Sequence, residues 1–323
     1  MRPFAYERAA SVETAVKASG QFIAGGTNLL DLMKADVQTP GRLVDITRLP
    51  LKQISERQDG GLRLGALVTN AATARDERIR ARYPLLAKAI LAGASPQLRN
   101  LATNGGNLLQ RTRCYYFYDT ATPCNKRQPG SGCGALHGLN RIHAILGASE
   151  QCVAVHPSDL CVALAALNAT VNVEGPTGER AIPFADFHRL PGETPQLDNN
   201  LQEHDLITSI DLPPDDFSAH SSYIKTRDRN SYAFALSSAA AALELAQGKI
   251  VQARLALGGV AHKPWRNLEV EHSLKGKAPS RENFRQAAES LLNDARPLRH
   301  NAFKIELAKR VIVRALENAA EGI

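Results

Sequence analysis

"FIAGGTNLLDLMK", residues 22–34, passes from a short apolar run into paired glycines, then Thr27 and Asn28, then a stretch with helical spacing of its apolar residues. That order predicts strand, tight turn and helix, the grammar of an α/β unit. Paired glycine lets the backbone adopt positive φ and lets bare N–H groups approach a ligand, and a helix start adds partial positive charge. Such a turn suits a diphosphate. It is neither the dinucleotide G-x-G-x-x-G nor a P-loop, which needs lysine after its last glycine.

A second version, "TNGGNLLQ" at 103–110, repeats the texture of small polar residues, Gly-Gly, Asn and Leu-Leu. Either turn alone is equally well read as a plain helix start. Two in one region, with Thr27, Asn28, Thr103 and Asn107 adding hydrogen-bonding side chains, favour a ligand. A third turn, "HPSDL" at 156–160, places Ser158 and Asp159 at the start of a helix. Capping explains it, and a carboxylate there could also accept from ribityl or ribose hydroxyls.

Around these turns the chain alternates in period. "FAYER", "SVETAVKASG", "FIAGG", "TNLLDLMKADV" and "RLVDIT" read as strand, helix, strand, helix, strand. "LKQISE" and "GLRLGAL" add two strands, and "TNAATARDERIRARYPLLAKAILAGAS" has the spacing of one buried helix face. "SEQCVAVHPSDLCVALAALNATVNVEG" reads as strand, turn, helix and strand. "DLPPDDFSAH" at 211–220 is a linker, because two prolines stop a strand. Beyond it, "SYAFALSSAAAALEL" and "KIVQARLALGGV" pair across "AQGK". The amphipathic helices "SRENFRQAAESLLNDA", capped by Ser280, and "AFKIELAKRVIVRALENAA" follow. Strands followed by segregated helices argue a separate α+β domain.

The 323 residues suffice for about two domains of roughly 150 residues. No apolar run approaches the roughly 20 residues of a membrane helix, and the first residues lack a continuous apolar leader. The formal charge of +7 is dispersed among acids, with no nucleic-acid motif beside it. A basic surface fits an acidic partner or a diphosphate cofactor as well. The expectation is therefore no nucleic acid and no membrane.

Cys114, Cys124, Cys133 and Cys152 are spaced C-x9-C-x8-C-x18-C, three of them in a polar stretch that reads as exposed loop. Cys161 follows on a packed helix and reads as core. Structural thiols belong in cores. Disulfides need an oxidising compartment, and five is an odd number. Zinc prefers closely spaced cysteine pairs, which are absent. An iron-sulfur cluster needs four thiolates and accepts wide spacing where a loop wraps it. Cluster, zinc and structural thiols all stay open on this reading. Tyr115, Tyr116 and Tyr118 beside Cys114 are read as ordinary loop packing. No catalytic dyad or triad pattern is present.

Together, "FIAGGTNLLDLMK", "TNGGNLLQRTRC", "PCNKRQPGSGC", "HPSDL" and "KTRDRNSYAFALSSAAAA" resemble the FAD-binding medium subunits of the molybdenum hydroxylases, the xanthine dehydrogenase family, over nearly the whole chain. The cysteine-bearing insertion is similar to two branches of that family, periplasmic aldehyde oxidoreductase and 4-hydroxybenzoyl-CoA reductase, and is nearer the first. The resemblance implies an α+β fold. Residues 1–213 would form an α/β FAD-binding domain in two lobes of the vanillyl-alcohol-oxidase type, with a cluster loop at 111–152. Residues 214–323 would form a C-terminal α+β domain of the CO dehydrogenase flavoprotein type, an antiparallel sheet with helices.

For the site, the resemblance implies FAD held by Ala24, Gly25, Gly26, Thr27, Asn28 and Leu29, by Thr103, Gly106 and Asn107, by Asp159, and by Lys225 close to the flavin. It implies a 4Fe-4S cluster on Cys114, Cys124, Cys133 and Cys152. The chain would pass electrons, without doing substrate chemistry, from a molybdenum-cofactor large subunit through a 2Fe-2S small subunit to FAD and an external acceptor, in a heterotrimeric aldehyde oxidoreductase. It would be periplasmic, exported folded on a partner's signal. The other branch would keep it cytoplasmic, and a self-contained flavoprotein dehydrogenase is a further alternative.

Overall fold

The computed structural model describes residues 1–214 and 217–322. Asp215 and Asp216, inside the expected linker, and Ile323 lie outside the described residues.

Strands β1 (Ala5–Arg8), β2 (Gln21–Ile23) and β3 (Arg42–Asp45) form a parallel sheet in the order β1-β3-β2. Parallel neighbours need crossovers, and the helices Val12–Lys17 and Leu29–Lys34 supply them. Ser11 starts the first helix with a capping box shared with Thr14. The second lobe is a five-stranded antiparallel sheet of β4 (Ile54–Glu56), β5 (Leu62–Gly65), β6 (Thr170–Gly175), β7 (Gly178–Pro183) and β8 (Leu206–Leu212), in the order β4-β5-β8-β6-β7. The chain leaves this sheet after β5 and returns only at β6. Both later turns and all the cysteines lie on that excursion.

The C-terminal sheet contains β9 (Ser221–Thr226), β10 (Ser237–Ala246) and β11 (Lys249–Gly258), antiparallel with β10 central. Along β10 the period of two divides four buried alanines between two cores. Ala240 and Ala242 pack with helices Pro84–Ala92 and Asp159–Ala166 of the first domain. Ala239 and Ala241 pack with helices Arg281–Leu291 and Phe303–Glu321. Alanine is small enough to let helices approach both faces.

Three expectations change. The single helix expected at 69–95 is three, Asn70–Arg75, Glu77–Arg82 and Pro84–Ala92. The Asp76 carboxylate accepts from the amides of Arg78 and Ile79 and so starts a new helix, and Pro84 at N1 starts the third. The strand expected before "HPSDL" is extended chain with one isolated bridge, Ser149–Cys152; its neighbour is the turn at Val260 and Ala261, which takes the amide of His156. The cysteines of the loop are not exposed either. Cys114, Cys124 and Cys152 are buried with Leu32, Phe117, Ala135, Val153 and Ala154, and Cys133 is partly buried beside them. An ion cluster around the buried Lys126 makes this possible, because partly buried Asp198 accepts from Lys126 Nζ at 2.5 Å and from Arg111 Nε at 2.7 Å. Asn125 and Lys126 face inward onto partners distant in sequence, Gln151 and Asp198, while Asp119, Thr120 and Gln128 stay exposed.

Candidate functional site

The first glycine turn leaves β2 at Ile23 and enters the helix at Leu29. Gly26 has φ +69, and an added Cβ at Gly25 would lie 2.1 Å from the Leu101 carbonyl oxygen. Only glycine permits this contact, which sets the first turn against the chain entering the second. Among the described residues, the amides of Gly26, Thr27 and Asn28 donate to nothing within the protein. Asn28 does not cap its helix. Its Oδ1 accepts from the Arg111 amide at 2.9 Å, and its Nδ2 is buried without an acceptor.

The second turn is built differently. The amides of Asn104 and Gly105 donate to the carbonyls of Val68 and Ala66, and those of Gly106 and Asn107 donate to Thr103. It offers a smooth backbone surface and the Asn107 side chain, with its amides engaged internally. Asn107 Oδ1 accepts from Ser158 Oγ at 2.5 Å, which ties this turn to the third. Ser158 Oγ also accepts from the Cys161 amide, capping the helix Asp159–Ala166. Asp159 faces the opposite way, its carboxylate 2.8 Å from Lys225 Nζ and accepting from Tyr223 Oη at 2.7 Å.

These parts line one continuous cleft. A cavity of about 160 Å³ holds the first turn with Thr103 and Gly106. A second of about 280 Å³ shares Thr27, Asn28 and Gly106 with it and adds Asn107, Asp159 and Lys225. A third of about 320 Å³ shares Arg113, Ser158 and Asp159 with the second and ends at Cys114 and His143. All eleven residues expected at FAD therefore line the first two chambers, and of the four cysteines Cys114 lines the third.

The FAD-binding domain found in molybdopterin dehydrogenases matches residues 2–215, and the CO dehydrogenase flavoprotein C-terminal domain matches residues 222–319. The chain belongs to the FAD-binding subunits of the molybdopterin dehydrogenases. It is 49% identical to the aldehyde oxidoreductase FAD-binding subunit PaoB of Escherichia coli, over 99% of each chain. It is 26% identical to the glyceraldehyde dehydrogenase medium chain of Sulfolobus acidocaldarius, over 98% of each. Its backbone is similar to carbon monoxide dehydrogenase from Hydrogenophaga pseudoflava, with a TM-score of 0.77 and 25% identity over 99% of this chain and 98% of that one.

An FAD-binding subunit of this family needs a long cleft with free donors at one place for the diphosphate, and the residues present fit. The amides of Gly26 to Asn28 and Asn28 Nδ2, which have no acceptor among the described residues, are the free donors a diphosphate takes. The helix behind them has six residues, so the amides themselves outweigh its dipole.

In the cysteine pocket, neighbouring backbone amides favour the charged form of sulfur: those of Tyr116 and Phe117 act to lower Cys114, those of Ala135, Leu136 and Val153 to lower Cys133, and that of Ala154 to lower Cys152. Burial pushes the Cys114 thiol up to about 12. Cys133 is lowered to about 6 because Cys152 hydrogen-bonds to it, and Cys152 is correspondingly raised. A lowered thiol ionises more readily to thiolate, the form that binds metal. His143 Nε2 lies 3.1 Å from Cys114 Sγ.

The tyrosines beside Cys114 behave as packing. Tyr116 Oη accepts from the Leu139 amide, Tyr118 Oη accepts from Arg113, and Tyr115 is exposed. Cys161 is fully buried and held protonated, its thiol pushed up to about 12 by burial. It lies near His156 and His188, with one ligand atom of each residue within 4.8 Å of the others. His188 Nε2 donates to the Leu108 carbonyl and His156 Nδ1 accepts from the Ser158 amide, so this group is knitted into the core backbone. Arg113 and His143 were not singled out from sequence. "RTRC" and "RIHAIL" mark neither, since their partners Tyr118, Phe234 and Cys114 are found only in three dimensions.

Proposed function

We propose that this chain is the FAD and 4Fe-4S electron-transfer subunit of a molybdenum-containing aldehyde oxidoreductase. It would assemble as a heterotrimer with a molybdenum-cofactor large subunit and a 2Fe-2S small subunit. The carrying observation is the convergence of four cysteines on one cluster of side chains, with Cys114 at the end of the cleft that also contains both glycine turns. Full-length identity of 49% to an aldehyde oxidoreductase FAD-binding subunit supports the choice of enzyme.

Cys114, Cys124, Cys133 and Cys152 would hold the cluster, and the first glycine turn the FAD diphosphate. Bound there, FAD supplies a centre that accepts electrons singly and releases them singly or in pairs. The chain's own residues position and insulate. Arg111 joins Asn28 at the first turn to Asp198 under the cysteine loop, so both pockets share one support. Phe117, fully buried under the Arg111 guanidinium, helps keep water from the sulfurs. Export to the periplasm, folded and on a partner's signal, belongs to the same reading. It follows the likeness of the cysteine loop to the periplasmic branch, and subcellular fractionation checks it.

The test is cofactor content of the purified complex. Wild type should contain one FAD and about four iron beyond those of its 2Fe-2S small subunit. Cys124→Ser should lose those four and retain FAD. Iron retained in full by Cys124→Ser, or no iron in wild type beyond that of the small subunit, would refute the ligand set.

A further inference from the structure

We infer that His143 is a positioning residue for the cluster, donating Nε2–H to the Cys114 sulfur and thereby raising the reduction potential. The inference rests on the cluster assignment above and deepens it. His143 and Cys114 are 1% and 7% exposed, and their 3.1 Å contact lies at the end of the third chamber. An iron-bound thiolate has no proton and can only accept. The nitrogen beside it must therefore carry the hydrogen, which leaves Nδ1 as a bare lone pair. Nδ1 is buried without a hydrogen-bond partner among the described residues, an environment less costly for a lone pair than for an orphaned N–H.

The ring is held from behind by the C-terminal domain. The His143 carbonyl accepts from Lys304 Nζ at 2.8 Å and from Asn301 Nδ2 at 3.2 Å. Lys304 is itself fully buried and donates also to the Gly259 carbonyl at 2.6 Å. The Asn140 carbonyl closes the turn by accepting the His143 amide, and the Asn140 side chain is fixed to the Ala135 carbonyl. Four anchors on one short segment suit a side chain whose placement matters, because hydrogen bonds to ligand sulfur are among the determinants of cluster potential. Reduction adds negative charge to the cluster and its sulfurs, so an N–H donor stabilises the reduced form more than the oxidised form.

The experiment is a redox titration of the cluster signal, followed by electron paramagnetic resonance, in the purified complex. His143→Leu should retain iron and FAD at wild-type content and titrate at a lower midpoint potential. His143→Gln, whose amide can donate to the same sulfur, should recover part of the shift. An unchanged midpoint in His143→Leu overturns the inference while leaving the cluster assignment intact. Loss from both variants of the four iron beyond those of the small subunit would make His143 a ligand or a structural support, and overturns it too. A wild-type complex with no iron beyond that of its small subunit defeats the cluster assignment itself, which separates the two failures.

Discussion

Lys225 Nζ lies 2.8 Å from Asp159 Oδ2, with the two side chains 4% and 8% exposed. The pair bridges the start of helix Asp159–Ala166 to β9, and Lys225 also donates to the Ala92 carbonyl. Removing one member strands the other charge in a desolvated site. Asp159→Asn should therefore destabilise the fold by roughly 3–5 kcal/mol, read from urea unfolding, and weaken FAD retention. Combining it with Lys225→Met should recover much of that stability without restoring FAD. If Asp159→Asn unfolds with the wild-type midpoint, the pair is not the fastening inferred here.

Gly25 gives a second prediction. In Gly25→Ala the new methyl would meet the Leu101 carbonyl, so the first turn must withdraw from the second. The complex should purify with little FAD and its full iron content, measured by flavin fluorescence after denaturation and by iron analysis. Coincident loss of both would mean that the two pockets do not assemble separately.

Asp198 gives a pH dependence. Burial works to raise its carboxyl, yet Lys126 and Arg111 hold it down to about 2 against an ordinary 3.8. A depressed carboxylate contributes stability that is complete above the unfolded value and is lost as pH falls from about 4 toward 2. The contribution is roughly 2 kcal/mol. Asp198→Asn should accordingly be less stable than wild type at pH 6, and the difference should shrink as pH is lowered through that window. A gap that persists unchanged at pH 2 would place the effect in packing and not in charge. Lys126 is 3% exposed, so the variant should also loosen the cysteine loop and raise its sensitivity to proteolysis.

What could be read from sequence followed local rules. Glycine pairs, the Ser280 cap and the strands paired across "AQGK" each depend on a few neighbouring residues, and each reappears at its expected place. The interior of the cysteine loop could not be read that way. "TPCNKRQPG" looks solvated until Lys126 meets Asp198 from a separate segment. The amides of the second turn look free in sequence, yet Val68 and Ala66 take two of them. Asp159 has the signature of a helix start, but Lys225 and Tyr223 arrive from β9 in another domain. His143 has no local signature at all, because what matters about it is the sulfur it faces.

The alternating alanines of β10 are a party wall, since each neighbour on the same strand furnishes a different room. Demolishing one side exposes apolar surface on the other, so neither domain can melt alone. Scanning calorimetry should record a single endotherm, and a fragment ending before β9 should precipitate instead of surviving as an independent flavin carrier.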